Sequence, residues 1–329
     1  MRSHLIKIFL VAVPVLTLII GVEIQFRNIP NDYSYKSEYL KKHGEEINVL
    51  ALGGSHNYRG INPDYFDKEC FNAAMVSQSL KYDYFILKKH LRDLPHLEYI
   101  IIPISYPTLT MKLEETLEHW RKYRYIHYMN YNDLDLKDRL SLETYLAISH
   151  ENGLSVLKNL YQYWFRGLDH RSCMDNGMGK SFDQEPANLK NSAIEAAQRH
   201  EDSIFDVHTN MNDLNQIIGL CKSQNIKLIL ITPPGSSYYI KNLQRENLEL
   251  INRTCDSLAK EHPHVLYRNF IDDPVFKDSL FQDADHLNRT GAGILSLKLN
   301  EIIRNEGVKM ATQNTSDKNS ELMISNKHN

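Results

Sequence analysis

Five short runs, at 48–52, 70–74, 99–104, 227–232 and 265–269, are largely apolar or β-branched, with little of the alternation a half-exposed strand shows. Strands covered on both faces read this way. Helix-period segments lie between them, at 79–94 and at 211–224, where Leu214, Ile217, Ile218 and Cys221 recur at helical spacing. Strand–helix–strand alternation predicts an α/β domain with a parallel sheet and helices on both faces. A chain of 329 residues has room for one large domain of this kind with insertions, or for two small ones. Between 104 and 226 the alternation fails. Residues 112–170 are rich in aromatics, including Trp120, Tyr123, Tyr125, Tyr128, Tyr161 and Trp164, and 171–190 are rich in Gly, Ser and Asp. This predicts a largely helical insertion at about 108–210, followed by a loop, overhanging one edge of the site. Its aromatics are expected to pack the insertion itself, the bolder alternative being a cover for a carbohydrate or an acyl chain.

The N-terminus constrains location. No charge occurs from Ile8 to Val22, and Leu5, Ile6 and Ile24 extend the apolar stretch to about 20 residues, enough to cross a hydrocarbon core. Arg2 and Lys7 precede it, which keeps the N-terminus cytoplasmic and sends the rest across. A cleaved signal peptide is the rival reading, but no A-x-A-like site follows, because Ile19 stands two residues before Gly21. Residues 1–24 are therefore expected to be a signal anchor. The polar stretch 25–45, with turn signals at Asn28, Pro30, Asn31 and Asp32, is expected to be a spacer, and 306–329 a disordered polar tail.

Bulk charge excludes one function class. A formal net charge of −3, from 38 basic and 41 acidic residues, argues against a nucleic-acid footprint. Cys70, Cys173, Cys221 and Cys255 form no C-x-x-C pair, and the histidines are scattered, so neither a metal nor a cofactor is implied.

The chemistry concentrates at two places far apart in sequence. The first strand run ends in Gly53-Gly54-Ser55-His56. In an open parallel sheet ligands gather at the carboxyl ends of the strands, so Ser55 stands where chemistry occurs. The glycines permit a tight reversal, and the backbone N–H groups of Ser55 and His56 can face a developing oxyanion. The bland reading is a turn with a serine N-cap. The second place is Asp283-Ala284-Asp285-His286, followed by Asn288 as the N-cap of a last helix from about Arg289 to Arg304. Histidine is matched to taking a serine proton near neutral pH. Asp283 can fold back onto one ring nitrogen and leave the other for Ser55. Asp285, adjacent to His286, is expected to point elsewhere, though a loop can reverse that choice. His56 is read as facing away, capping its helix or lining the site, and Arg59 as able to meet an anionic substrate. Arg199-His200 is read as surface or insertion packing.

The blocks Leu52-Gly53-Gly54-Ser55-His56, Phe71-Asn72-Ala73-Ala74 and Asp283-x-x-His286 occur in the order of the first, second and last blocks of the SGNH/GDSL hydrolases, which the chain resembles over roughly 45–305. Gly60-Ile61-Asn62-Pro63, and Ile231-Thr232-Pro233-Pro234 before Tyr238-Tyr239, resemble membrane-anchored bacterial relatives. The resemblance implies a flavodoxin-like three-layer sandwich over 46–305, with Ser55 as nucleophile and His286 and Asp283 as its partners. It also implies oxyanion donors. Family members carry glycine in the second block and asparagine in the third, where this chain has Ala74 and either Ser105 or Tyr106. Ala74 keeps its N–H, Asn72 is a possible substitute donor, and Gly54 and Ser105 join the expected lining.

The resulting expectation is a bitopic membrane protein whose extracytoplasmic domain is a serine esterase or O-acyltransferase acting on an acylated cell-envelope substrate, a glycan by preference. It resembles the D-alanyl transfer protein of teichoic-acid synthesis and the alginate O-acetylation proteins, which implies a multi-spanning membrane acyltransferase as partner. The alternative, motivated by the absent third-block asparagine, is a non-catalytic glycan-binding or assembly protein on the same scaffold.

Overall fold

A computed structural model describes residues 2–180, 188–201 and 206–325 of the chain. Five strands, β1 (Val49–Ala51), β2 (Cys70–Asn72), β3 (Tyr99–Pro103), β4 (Lys227–Thr232) and β5 (Val265–Asn269), form one parallel sheet in the order β2-β1-β3-β4-β5. Every neighbouring pair is parallel, with Val49 opposite both Cys70 and Tyr99, and Leu228 opposite Val265. This is the doubly wound order with its reversal beside β1, and the five strand runs of the sequence stand in it.

Among the described residues there are twelve α-helices, in chain order α1 (Arg2–Arg27), α2 (Asp32–His43), α3 (Ser55–Gly60), α4 (Leu80–His90), α5 (Lys122–Met129), α6 (Leu136–Leu140), α7 (Gly153–Arg166), α8 (Leu189–Glu201), α9 (Met211–Ser223), α10 (Ser237–Asn242), α11 (Arg245–Glu261) and α12 (Arg289–Ser325). Alternate strand residues feed two cores, as the two-residue period of a strand requires. Leu50, Ile100, Leu228 and Leu230 join Leu40 of α2, Ile86 of α4, Ile217 of α9 and Ile251 of α11. Val49, Ala51, Ile101, Ile229 and Ile231 join Leu295, Leu299 and Ile303 of α12. With both faces covered, β1, β2 and β3 are buried at every position, whereas the edge strand β5 leaves Arg268 and Asn269 exposed.

The insertion between β3 and β4 contains α5 to α8 joined by 3-10 turns and irregular chain. Its aromatics divide: Tyr123 and Tyr125 are buried, whereas Tyr161, Trp164 and Phe165 are exposed.

Residues 25–45 are folded into the domain, which corrects the expected spacer. Asn31 reads as a turn residue, but here its Oδ1 accepts from the N–H groups of Tyr33 (3.0 Å) and Ser34 (3.2 Å), while Ser34 Oγ accepts from Asn31 N–H (3.1 Å). That reciprocal cap starts α2, and Tyr33 and Leu40 then enter the main core. The same chemistry that makes asparagine a turn former makes it a helix cap. Helix α12 extends to Ser325, through most of the stretch 306–329 expected as a disordered tail; residues 326–329 lie outside the described residues.

Within α1, Ile6–Arg27 is long and apolar enough to cross a membrane and is almost wholly exposed.

Candidate active site

The loop after β1 is built by backbone constraint. Gly53 has φ +104°, and a Cβ there would lie 2.2 Å from Pro103 Cδ, so both the left-handed conformation and the contact with β3 demand glycine. Its N–H donates to Asp83 Oδ1 (2.7 Å), which also accepts from Gln78 Nε2 (2.6 Å). Burial pushes the Asp83 carboxyl up to about 7 against those two bonds. Gly54 is the N-cap of α3 and supplies no side chain, so no cap bond covers the first amides of the helix. Ser55 is the first residue of that helix. Beneath it, Asn57 Nδ2 donates to Leu52 O (2.7 Å) and Ile101 O (3.2 Å), tying α3 to β1 and β3.

The loop before α12 supplies the histidine. Phe281 and Leu287 pair as an isolated bridge and are buried in the second core, which pins both ends of the intervening loop. Asp283 Oδ1 accepts from the backbone N–H of His286 (2.9 Å) and of Asp285 (3.3 Å), the fold-back that an Asp-x-x-His spacing permits. Asn288 Oδ1 accepts from Gly291 N–H (3.0 Å), so Asn288 caps α12 as its position suggested.

Folding brings these two loops together. His286 Nε2 lies 2.7 Å from Ser55 Oγ, and His286 Nδ1 lies 2.9 and 3.1 Å from the two oxygens of Asp283. Asp285 does not point elsewhere. It is buried, with one oxygen 3.3 Å from His286 Nδ1 and the other 3.3 Å from His56 Nε2. The His56 ring stacks on that of His286, with centroids 5.0 Å apart and planes 21° from parallel. His56 therefore lines the site. Burial opposes a charge on His286, but the Asp285 field and the bonds to Asp283 and Asp285 overrule it and raise the imidazole to about 10. Both carboxyls are held below their ordinary range by His286 against the opposing effect of burial.

The remaining lining residues sort differently. Arg59 Nη1 lies 3.5 Å from Asp283 Oδ2, a partner its sequence position did not announce. Asn72 is fully buried. Its amide donates to Asn57 O (2.7 Å) and Ile61 O (2.8 Å), and its Oδ1 accepts from Ala74 N–H (3.1 Å). Both residues stand beneath the site as scaffold, with the Ala74 N–H already bonded; Lys36 Nζ binds the Ala74 carbonyl from α2. Ser105 is buried in the turn after β3, where Thr108 Oγ1 meets its hydroxyl at 2.7 Å and accepts from its N–H at 3.0 Å. The amides of Ser55 and His56, at the start of α3, receive no side-chain cap bond.

One more residue enters, read from the sequence as surface or insertion packing. His200, on α8 of the insertion, binds the Tyr239 hydroxyl through Nδ1 (2.6 Å). Burial pushes it down to about 4, and Asp285, His56 and His286 are close enough to act on its charge. The only earlier signal was Tyr238-Tyr239 following the Pro-Pro of the β4 end. Among the described residues, His56, Asp285 and His286 offer donor atoms within 4.8 Å of one another and could together hold a metal ion, a grouping that the distance of His56 in the sequence conceals.

No protein-family profile matches the chain, and no curated protein sequence matches it. Among solved structures it is similar to a GDSL-like lipase of Bacteroides thetaiotaomicron at 11% identity and TM-score 0.40, covering 85% of this chain and 99% of that one. It is also similar to an acylhydrolase candidate of Bacteroides fragilis at 10% identity and TM-score 0.40, covering 83% of this chain and 95% of that one.

Proposed function

We propose that the chain is a serine-dependent ester hydrolase or O-acyltransferase. One observation carries this reading: Ser55 Oγ, His286 and Asp283 stand in hydrogen-bonded sequence at 2.7 and 2.9 Å although 231 residues separate the serine from the histidine. Ser55 Oγ attacks the acyl carbonyl while its proton passes to His286 Nε2. Asp283 fixes the ring through Nδ1–H and stabilises the imidazolium. The Ser55 and His56 amides receive the oxyanion. Collapse expels the alcohol, which takes the proton back from Nε2 and leaves an acyl-serine. Attack by water on that ester makes the chain a hydrolase; attack by a sugar hydroxyl makes it a transferase. His286 serves as base and then acid in either case.

The apolar α1 supports a membrane location, and Arg2 and Lys7 before it support an extracytoplasmic domain. An acylated envelope glycan is the substrate class that fits this location, with a multi-spanning O-acyltransferase as the corresponding partner. The second reading, a glycan-binding protein without catalysis, draws on the Ala74 N–H being bonded to Asn72 and so unable to serve as a free oxyanion donor.

Labelling with a serine-directed fluorophosphonate separates the two. Covalent labelling of the wild type that is lost in Ser55→Ala and His286→Ala is the expected result. Labelling indifferent to both substitutions overturns the mechanism, and no labelling beside measurable glycan binding selects the second reading. Protease accessibility of sealed membranes tests the location; a fully protected or freely soluble domain refutes it.

A further inference from the structure

Helix α7 presents apolar side chains on two sides. Val156 and Leu160 are buried against Phe26 and Ile29, where α1 enters the domain. Leu154, Leu157, Tyr161, Trp164 and Phe165 are exposed, Leu154 by 81% and Phe165 by 73%. Their three- and four-residue spacing places them on one side of the helix, within an arc of about 100°. Exposed Lys158 borders that arc, and Arg166 lies beyond it. An apolar face of this size calls for a covering phase.

What covers it follows from the neighbouring helix. The end of α1 is fastened to the chain that leads into α7. Glu23 accepts from the N–H groups of Ala147 (2.8 Å) and Ile148 (3.1 Å), and Arg27 donates to Tyr145 O (2.6 Å). The bare face of α7 and the apolar length of α1 thus hold one relative position. Tyr145, whose carbonyl accepts from Arg27, is exposed as well, and so is Leu142.

We propose that this face of α7 lies in the headgroup–acyl boundary of the bilayer that α1 enters, and seats the α/β domain on the membrane surface. The occupant is lipid. The helix that carries the face packs against the end of a helix apolar enough to span a bilayer. It carries Tyr and Trp, which favour the interface. Lys158 and Arg166 can keep their charges among headgroups while their stems lie on apolar surface. The proposal rests on α1 being membrane-embedded.

The test uses the full chain in vesicles of phosphatidylcholine with a minor fraction of phosphatidylglycerol. Trp120→Phe leaves Trp164 as the only tryptophan. Its emission is expected to shift to the blue, to lose intensity in lipid brominated near the headgroup, and to be shielded from aqueous iodide. A parallel chain carrying Trp120→Phe, Trp164→Phe and Leu16→Trp reports α1 and is expected to be quenched by deeply brominated lipid. If the α1 reporter is quenched while Trp164 responds to iodide alone, the proposal falls and the anchor stands. If Trp164 is shielded from iodide yet unquenched by lipid, protein covers the face, and the proposal falls. If neither reporter is quenched by lipid, anchor and proposal fall together.

Discussion

At the carboxyl edge of β1, charged groups are satisfied inside the chain and Asp285 is buried: His286 lies between Asp283 and Asp285, with Ser55 on its far nitrogen and His56 behind Asp285. At the junction of α1 and α7 the arrangement is inverted, with polar Glu23 buried as a clasp and the large apolar side chains left outside. A buried charge is tolerated only where partners hold it, so the first region is specified from within. An exposed apolar face is tolerated only where something else covers it, so the second is specified by its surroundings. Substitutions should therefore act on chemistry in the first region and on attachment in the second.

The sharpest way to break the first region is to remove its ends. Ser55→Ala and His286→Ala should each lower ester turnover by about 10²- to 10⁴-fold or more, with the fold retained by circular dichroism. A full-rate Ser55→Ala protein would discard the nucleophile. Gly53→Ala should cost about 2–5 kcal/mol, since the new Cβ combines a strained φ with a collision against Pro103. Chemical denaturation measures it, and an unchanged midpoint would show that the loop can rearrange.

The role of Asp285 is read through pH. Only neutral imidazole can accept the serine proton, so kcat/KM of the free enzyme should climb with pH through about 10. Asp285→Asn removes a charge 3.3 Å from Nδ1 and should move that inflection down by about 1–3 pH units. An inflection that stays in place would reduce Asp285 to packing. The same raised pKa bears on stability: the contribution is fully present below the unfolded value of about 6.5 and is lost as pH rises through about 10.

In the second region effects are smaller. Glu23→Ala leaves the N–H groups of Ala147 and Ile148 without their acceptor, a loss of about 1–3 kcal/mol felt locally. Limited proteolysis should then cut 136–152 faster while Ser55 labelling is unchanged. Labelling that falls in step with the cleavage would couple the two regions.

The sequence alone determined the five strands, the parallel sheet and the places of Ser55, Asp283 and His286, because each depends on local pattern: runs without alternation, a Gly-Gly turn and an Asp-x-x-His fold-back. It also marked α1, whose apolar length needs no partner to be recognised. It misread 25–45, since Asn31 can open a turn or cap a helix, and only burial of Tyr33 and Leu40 decided for the helix. Tertiary structure alone decided that Asp285 turns inward, that His56 and His200 approach His286, and that Asn72 and Ala74 bond each other. It also parted the buried insertion aromatics from the bare ones on α7. Those outcomes depend on which distant groups meet across the sheet. The buried Asp285 carboxylate needs His56 brought from the far end of the chain as well as its neighbour His286, whereas the Asn31 cap is bonded by the residues beside it.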